Sequence, residues 1–374
     1  MGQREALRAA VAVDDLALGG HNNFHLIRLV AALLVLFAHC YHLLGRAADE
    51  PIGHWFVWFD ASLLGVSMFF FISGCLVARS WNIRRSLPLF LAARALRIAP
   101  ALWLVLGLSV LLGAAVTTWP LRDYLHSVDT RKYLVLNAIL YTHYLLPGVF
   151  ESNPVHGING SLWTIPLEVV LYLILGAAGW LGLLAPHDTL RHFRERISRH
   201  PFAATALLLL GLLLIQKVLR TGAGYYSLAG YFLLGMLAFR FRHWLVLRVA
   251  EVLLLAGAAI ALGPTWAGPL LLPAAVGFTI LTLALHPALA LPPTWLHRHD
   301  YSYGAYLYGF PVQQSMISFG IDQPLLLFAC CVPLTLACAA LSWHLVEQPA
   351  LAQKQRVSRW IARWLPGERE AAPT

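Results

Sequence analysis

The feature that most constrains this chain is a series of long apolar runs, each near the roughly 20 residues that a helix needs to cross a bilayer. Only 12% of the residues are charged and the mean hydropathy is +0.66, whereas soluble domains carry about 25% charged residues. The sequence therefore predicts an all-α, polytopic membrane helix bundle of about ten transmembrane helices. The predicted spans are residues 26–45, 57–79, 97–117, 162–184, 201–219, 225–240, 248–263, 267–286, 302–319 and 324–346.

The distribution of the 27 lysines and arginines predicts the orientation of this bundle. If the N-terminus is cytoplasmic, most of them fall in segments on the cytoplasmic side, as expected for short inner loops. Topology then explains the net charge of +9 without a nucleic-acid partner. We expect a cytoplasmic N-terminal segment at 1–25 without a secretory signal, a transmembrane domain at 26–349, and a basic amphipathic cytoplasmic tail at 350–374.

Two smaller features fit the same organisation. The stretch 132–146 is apolar but interrupted by polar residues, so we predict a peripheral or re-entrant segment there. The five cysteines lie in apolar runs and form no CxxC pair, which favours free packing thiols over a disulfide framework.

Arg28 and His39 are candidate functional residues because ionisable groups are costly inside a membrane span. A separation of eleven positions places both on one helix face, about 16.5 Å apart along the axis. A neutral imidazole past the midplane suits a general base, and Arg28 near the cytoplasmic surface could hold an anionic cofactor. The alternatives are an Arg28 that reaches the inner headgroups and histidines satisfied by neighbouring backbone, the reading we favour for His42. No third ligand accompanies His39 and His42, so no metal is expected.

Several further segments follow this Arg-x₁₀-His pattern in a fixed order. They are "GVSMFFFISGCLVARS" (65–80), "RALRIAPALW" (94–103), "NGSLWTIPLEVVLY" (159–172), "YSYGAYLYGFPV" (301–312) and "LSWHLVEQP" (341–349). Together they resemble the bacterial membrane O-acyltransferases known as acyltransferase family 3, over about residues 22–349. One departure is Phe310 in "GFPV", where many relatives have a histidine; Gln313 and Gln314 are candidates to supply polar contacts instead.

The resemblance implies an activity and its substrates. It implies transfer of an acetyl group from cytoplasmic acetyl-coenzyme A (acetyl-CoA) to a hydroxyl of a cell-surface or exported polysaccharide, or of its lipid-linked precursor. It also implies a multi-pass protein of the bacterial inner membrane. Arg94 and Arg97, helical neighbours on the cytoplasmic side, would bind the nucleotide phosphates of the donor together with Arg28. The alternative for these arginines is ordinary topological charge.

Glu168 is the one acid between Glu151 and Asp188. A buried carboxylate needs a partner, and we predict that Glu168 lies at the depth of His39 and orients its imidazole, as an acid does in a catalytic triad. The alternative is an exposed carboxylate at a helix end. Trp163 and Tyr172 would line the same cavity and contact substrate, unless they are interface aromatics.

Other polar residues have structural interpretations. Ser73 and Gly74 are expected to be small residues at a helix contact, and Glu347 is expected to cap a helix or pair with a loop arginine. Tyrosines 303, 306 and 308 either form walls of the donor pocket or belong to an interface belt.

Three alternatives stay open at the level of sequence. Direct transfer and a route through acetyl-histidine use the same residues, and acetyl and succinyl donors are not distinguished. The other functional class is a transporter or flippase of lipid-linked saccharides, although the inverted repeats common in transporters are not visible.

Overall fold

The computed structural model describes residues 11–12, 22–56, 59–184, 223–263, 265, 267–289 and 299–364. This part of the chain is mostly helical. Its one sheet is the two-residue antiparallel pairing of β1 (Val11–Ala12) with β2 (Val246–Leu247). The helices are α1 (Phe24–Leu43), α2 (Pro51–Trp55), α3 (Ala61–Arg84), α4 (Leu87–Val116), α5 (Leu121–His126), α6 (Val128–Ala138), α7 (Thr164–Trp180), α8 (Ala223–Arg240), α9 (Val249–Ala261), α10 (Gly268–Leu285), α11 (Ser302–Ser318), α12 (Pro324–Ser342), α13 (Gln348–Ala352) and α14 (Lys354–Trp364).

Short turns complete these elements. There are 3₁₀ turns at Ala47–Asp49, Gly160–Trp163, Arg242–Trp244 and Pro287–Leu289, and a π-helical turn at Trp343–Glu347. The π turn lies between α12 and α13, and the tail helix α14 follows α13.

Five segments are long and apolar enough to cross a membrane: Phe24–Leu43, Ala61–Arg84, Leu87–Val116, Gly160–Trp180 and Pro324–Trp364. The protein is therefore a helical membrane protein. Every predicted span coincides with a helix except 201–219, which lies outside the described residues. The total of ten spans and the orientation of the termini remain predictions.

The segment Pro324–Trp364 contains more than a membrane span. Its 41 residues would extend about 60 Å as one straight helix, twice the thickness of a hydrocarbon core. Its apolar part is α12, and apart from Glu347 the charged residues begin only in α14. We therefore treat α14 as a helix outside the hydrocarbon core.

Local signals explain where α3 and α4 begin and end. Asp60 caps α3 by accepting a hydrogen bond from the backbone N–H of Leu63 at 2.7 Å, and Ser86 caps α4. Arg85 between them has a φ of 50°, in the left-handed region that ends a helix. The chain thus reverses within a few residues, and Arg84 and the start of α4 lie at the same end of the bundle.

The helix α3 is at the centre of the bundle, in contact with both α1 and α8. A Cβ atom on Gly74 would lie 2.1 Å from the carbonyl oxygen of Phe232, and one on Gly235 would lie 2.0 Å from that of Phe71. Glycines therefore permit the close approach of α3 and α8, as small residues do between membrane helices. The predicted contact role of Gly74 is confirmed. All five cysteines are free, as predicted.

The chain between α6 and α7 folds back into the bundle. The Nδ2 atom of Asn153 donates to Gln314 Oε1 at 2.9 Å, and that of Asn159 donates to the carbonyl oxygen of Leu307 at 2.9 Å. Leu307 lies nearer to the Ser302 end of α11 than to its Ser318 end. As a result, α7 begins deep inside the bundle. The predicted peripheral segment 132–146 consists of the end of α6, which packs against α4, and irregular chain.

Candidate active site

Four charged side chains form a buried cluster at the end of the bundle where α4 begins, which we call the Arg97 end. Arg28 from α1 and Arg97 from α4 both donate to Asp300 Oδ2, the latter at 2.5 Å. The second contact of Arg97 is to Glu347 Oε2, at 3.5 Å. The side chains of Asp300 and Glu347 are only 4% and 2% exposed. We refer to these four residues as the Asp300 cluster.

The Asp300 cluster joins distant parts of the chain. Burial alone would raise the pKa of Asp300, but the adjacent guanidinium groups of Arg28 and Arg97 hold it well below its usual range. Asp300 is therefore ionised and bridges α1 and α4 just before α11 begins. Glu347 does pair with an arginine as predicted, although Arg97 belongs to a helix and not to a loop. Because carboxylates offset both guanidinium charges, little positive charge remains here for a ligand.

A small polar cavity lies beside the Asp300 cluster. Its volume is about 60 Å³, which is room for only a few water molecules. It brings together the three arginines predicted to bind the donor and the predicted acid Glu168. We call it the arginine cavity. Its lining residues are Arg28, Phe69, Ile72, Ser73, Leu76, Val77, Arg94, Arg97, Ile98, Glu168, Tyr172 and Tyr303. Trp163, at the start of α7, is not among them.

Glu168 is held by two hydroxyl groups. Its Oε1 atom accepts a hydrogen bond from Ser73 Oγ at 3.1 Å and another from the hydroxyl of Tyr172. The two hydroxyls are themselves 3.0 Å apart. Ser73 is therefore part of the polar site and not only a small packing residue as predicted.

The predicted pairing of Glu168 with His39 is wrong. Among the described residues, no hydrogen bond or ion pair joins the two side chains, and Glu168 lines the same cavity as Arg28. The reason is the depth at which α7 begins. The prediction placed Glu168 in the outer half of the span, at the depth of His39, whereas the inward fold of the preceding loop moves it to the level of the arginines.

Arg94 differs from the other two arginines of the cavity. Its guanidinium lies over the ring of Tyr172, 5.7 Å from the centroid, and its buried Nε has no hydrogen-bond partner among the described residues. No ion pair joins Arg94 to an acid in this part of the chain. Arg94 thus retains both its charge and a free donor in the cavity.

His39 lies toward the opposite end of α1, which we call the His39 end. Its ring is 6.3 Å from that of His42, and His42 Nε2 is 3.1 Å from Asp60 Oδ2. Burial alone would raise the pKa of Asp60, but its hydrogen bond with His42 brings the pKa below the usual value. The carboxylate of Asp60 therefore contacts His42, whose ring lies beside that of His39. Sequence reasoning missed Asp60, and the available signal was its position as an aspartate directly before an apolar run.

Phe310 packs against the ring of His39, edge to face, with the centroids 5.4 Å apart. Phe310 stands at the position where the family resemblance led us to expect a histidine. Gln313 donates to the carbonyl oxygen of Leu36 at 2.7 Å, and Gln314 donates to that of Val155 at 2.6 Å. The two glutamines therefore brace the backbone and take no part in the contact with His39.

Aromatic contacts connect the two ends of the site. Arg28 lies over the ring of Phe69 at 5.7 Å, and Phe69 contacts Tyr306 with a centroid separation of 5.7 Å. The hydroxyl of Tyr306 is 2.7 Å from Thr164 Oγ1. Thr164 follows Gly160 by four residues, and Gly160 packs against the ring of Phe310. We call this series the aromatic column. Tyrosines 303, 306 and 308 are all buried, so the interface-belt interpretation is wrong for them.

Comparison with known proteins identifies the family. A model of the acyltransferase domain matches residues 21–344, most of the chain.

The chain belongs to this acyltransferase family.

The acyltransferase is 30% identical over 370 residues to nodulation protein 10 of Rhizobium leguminosarum bv. viciae, covering 89% of this chain and 94% of that protein. It is 31% identical over 351 residues to the O-acetyl transferase of Shigella phage Sf6, covering 89% and 96%. No solved structure matches it. Membership of the family makes the chain an enzyme that transfers acyl groups and decides against the transporter alternative.

Proposed function

We propose that this acyltransferase is a multi-pass protein of the bacterial inner membrane that acetylates saccharides. It transfers an acetyl group from cytoplasmic acetyl-CoA to a hydroxyl of a cell-surface or exported polysaccharide, or of its lipid-linked precursor. The similarity to a protein named O-acetyl transferase supports acetyl as the group that is transferred and oxygen as the atom that accepts it. The observation that carries the proposal is the continuous line of contacts from the arginine cavity, along the aromatic column, to His39.

The Arg97 end suits the phosphate-bearing part of the donor. Arg94 offers the free charge and the free donor of the cavity, while Arg28 and Arg97 are held in place by Asp300. All three are proposed donor-binding residues, with Arg94 making the principal phosphate contact because its charge is not offset. The cavity is too small for an acyl arm, so donor binding requires its side chains to separate. Under the proposed topology this end faces the cytoplasm.

His39 is the proposed general base. It removes the proton of the acceptor hydroxyl while that oxygen attacks the thioester carbonyl. The new C–O bond forms, the C–S bond breaks, and the departing thiolate recovers the proton from the imidazolium. Asp60, acting through His42, stabilises the positive charge that His39 carries during transfer. Arg28 and His39 are about 16.5 Å apart along the axis of α1. One helix can therefore contact the phosphates of the donor at one end and its reacting atoms at the other.

Glu168 is proposed to act on the donor side. It fixes the hydroxyl of Tyr172, whose ring lies against Arg94, so it positions a donor-binding residue and does not orient the imidazole. Tyr172 is buried and lines the arginine cavity, so the proposed substrate it contacts is the donor. Trp163, at the start of α7, remains the proposed contact for the acceptor sugar.

The direct test uses purified protein in lipid nanodiscs, acetyl-CoA with a radiolabelled acetyl group, and an oligosaccharide acceptor. We expect label on the saccharide with wild-type protein, and a loss of at least about 100-fold with His39→Ala, since general-base catalysis contributes about 10² to 10⁴. His156→Ala is the matched control, because His156 is exposed on the loop before α7. Absence of label with the wild type, or wild-type rates with His39→Ala, would contradict the proposal.

A further inference from the structure

A second pocket lies at the Arg97 end, outside the arginine cavity. It has a volume of about 210 Å³ and is enclosed between the first turns of α4 and the tail helix α14. We call it the tail pocket. Its lining residues are Arg84, Leu89, Ala92, Ala93, Leu96, Lys354, Gln355, Val357 and Ser358. The C-terminal helix, which belongs to the basic amphipathic tail predicted from sequence, therefore forms one wall of a pocket.

The polar groups of the tail pocket are hydrogen-bond donors without acidic partners. Lys354 and Ser358 are four residues apart and share one face of α14. The Oγ atom of Ser358 is buried and has no hydrogen-bond partner among the described residues. Arg84 donates to Ser80 Oγ at 2.7 Å, and neither Arg84 nor Lys354 forms an ion pair with an acid in the described part of the chain. The pocket can therefore offer an ammonium, a guanidinium and a hydroxyl to one ligand.

The charges around the tail pocket are of one sign. Arg84 and Lys354 line the same pocket, and burial, followed by repulsion from Arg94, Arg84 and Arg97, lowers the pKa of Lys354 to about 8. Carboxylates neutralise Arg97 within the Asp300 cluster, but among the described residues no carboxylate forms an ion pair with Arg84, Arg94 or Lys354. Like charges held together at a partly buried surface are unfavourable, and a bound polyanion would relieve the repulsion.

We propose that the tail pocket binds the phosphate groups at the nucleotide end of the acyl donor, so that α14 forms part of the donor site. This inference rests on the proposed use of acetyl-CoA. Arg94 connects the two places, because it lines the arginine cavity while its neighbours on α4, Ala93 and Leu96, line the tail pocket. Phosphates held at the tail pocket would leave the acyl arm to extend through the arginine cavity toward His39.

The other possible source of phosphate is a lipid headgroup, which the orientation of α14 does not favour. Trp360 and Trp364 are 60% and 72% exposed, as expected of aromatics that meet the membrane interface. At 100° per residue, Trp360 is turned about 200° from Ser358 around the helix axis. The membrane-facing side of α14 is therefore opposite to the side that lines the pocket.

The experiment compares Lys354→Gln with Arg356→Gln. Both remove one positive charge from α14, but Arg356 is exposed and outside the pocket. In neutral-lipid nanodiscs, we expect Lys354→Gln to raise the acetyl-CoA KM and the Kd for adenosine 3′,5′-bisphosphate about tenfold, with kcat unchanged. Ser358→Ala should raise both about threefold, Arg356→Gln should stay within twofold, and Lys354→Arg should preserve binding.

Two results would overturn the inference while leaving the proposed function intact. In the first, Lys354→Gln and Arg356→Gln acetylate saccharide with the same KM and bind the nucleotide equally. In the second, the defect of Lys354→Gln appears only in vesicles containing phosphatidylglycerol, which would assign the pocket to lipid headgroups. A wild-type protein that neither binds acetyl-CoA nor uses it would instead remove the proposed function and this inference together.

Discussion

The two ends of the site hold their charges in different ways. At the Arg97 end, Asp300 contacts two guanidinium groups directly, and all the partners are largely buried. At the His39 end, one carboxylate reaches one imidazole, and a second imidazole lies beyond it. A buried ion cluster fixes the positions of helices, whereas imidazole is the side-chain group suited to proton transfer near neutral pH. This difference is the basis on which we propose architecture and donor binding for one end and proton transfer for the other.

The largest expected effect on stability comes from breaking the Asp300 cluster. Asp300→Asn removes the shared negative charge and leaves Arg28 and Arg97 buried without it, so we expect a loss of about 3–5 kcal/mol in unfolding free energy. Thermal unfolding in detergent would measure it. The control is Asp49→Asn, which removes an exposed carboxylate paired with Arg46 at 2.8 Å and should cost below about 1 kcal/mol. Equal effects of the two variants would show that the cluster does not hold the helices together.

The next effect separates binding from stability within the arginine cavity. Arg94→Gln breaks no ion pair, so we expect an acetyl-CoA KM raised about tenfold with an unchanged unfolding temperature. Arg97→Gln removes a member of the Asp300 cluster and should lower the unfolding temperature as well. Steady-state kinetics and thermal unfolding of both variants measure the difference. If Arg94→Gln lowers the unfolding temperature, or if Arg97→Gln does not, then the roles proposed for Arg94 in ligand binding and for Arg97 in stability are not distinct.

A smaller effect is expected from the carboxylate of the His39 end. Asp60→Asn keeps a side chain that caps α3 well but removes the negative charge beside His42. We expect kcat to fall about fivefold with little change in the donor KM, because the imidazolium formed at His39 loses a distant stabilising charge. Saccharide acetylation kinetics would measure it. If kcat is unchanged, Asp60 serves only as the helix cap.

The positions of the helices could be predicted from sequence because a bilayer imposes both the length and the polarity of each span. The common face of Arg28 and His39 follows from helical periodicity alone, and so does the position of Arg94 and Arg97 as neighbours. These predictions needed only local information about residues a few turns apart.

The partners of those residues could not be predicted in the same way. Asp300 is 272 positions from Arg28 and occupies a segment without a local signal for its role. The depth of Glu168 depends on an inward loop held by Asn159 and the backbone of α11, a tertiary contact that periodicity does not encode. The same limit concealed the tail pocket, since the amphipathic pattern of α14 does not reveal that α4 covers one of its faces.

The most direct test of the account measures donor binding and acetyl transfer separately in His39→Ala. If α1 carries donor binding at one end and proton abstraction at the other, this variant should bind acetyl-CoA with the wild-type Kd and transfer acetyl groups at least about 100-fold more slowly. Binding by calorimetry in nanodiscs and transfer from labelled donor to saccharide give the two numbers. Loss of donor binding together with transfer, or transfer at the wild-type rate, would contradict the division of roles between the two ends.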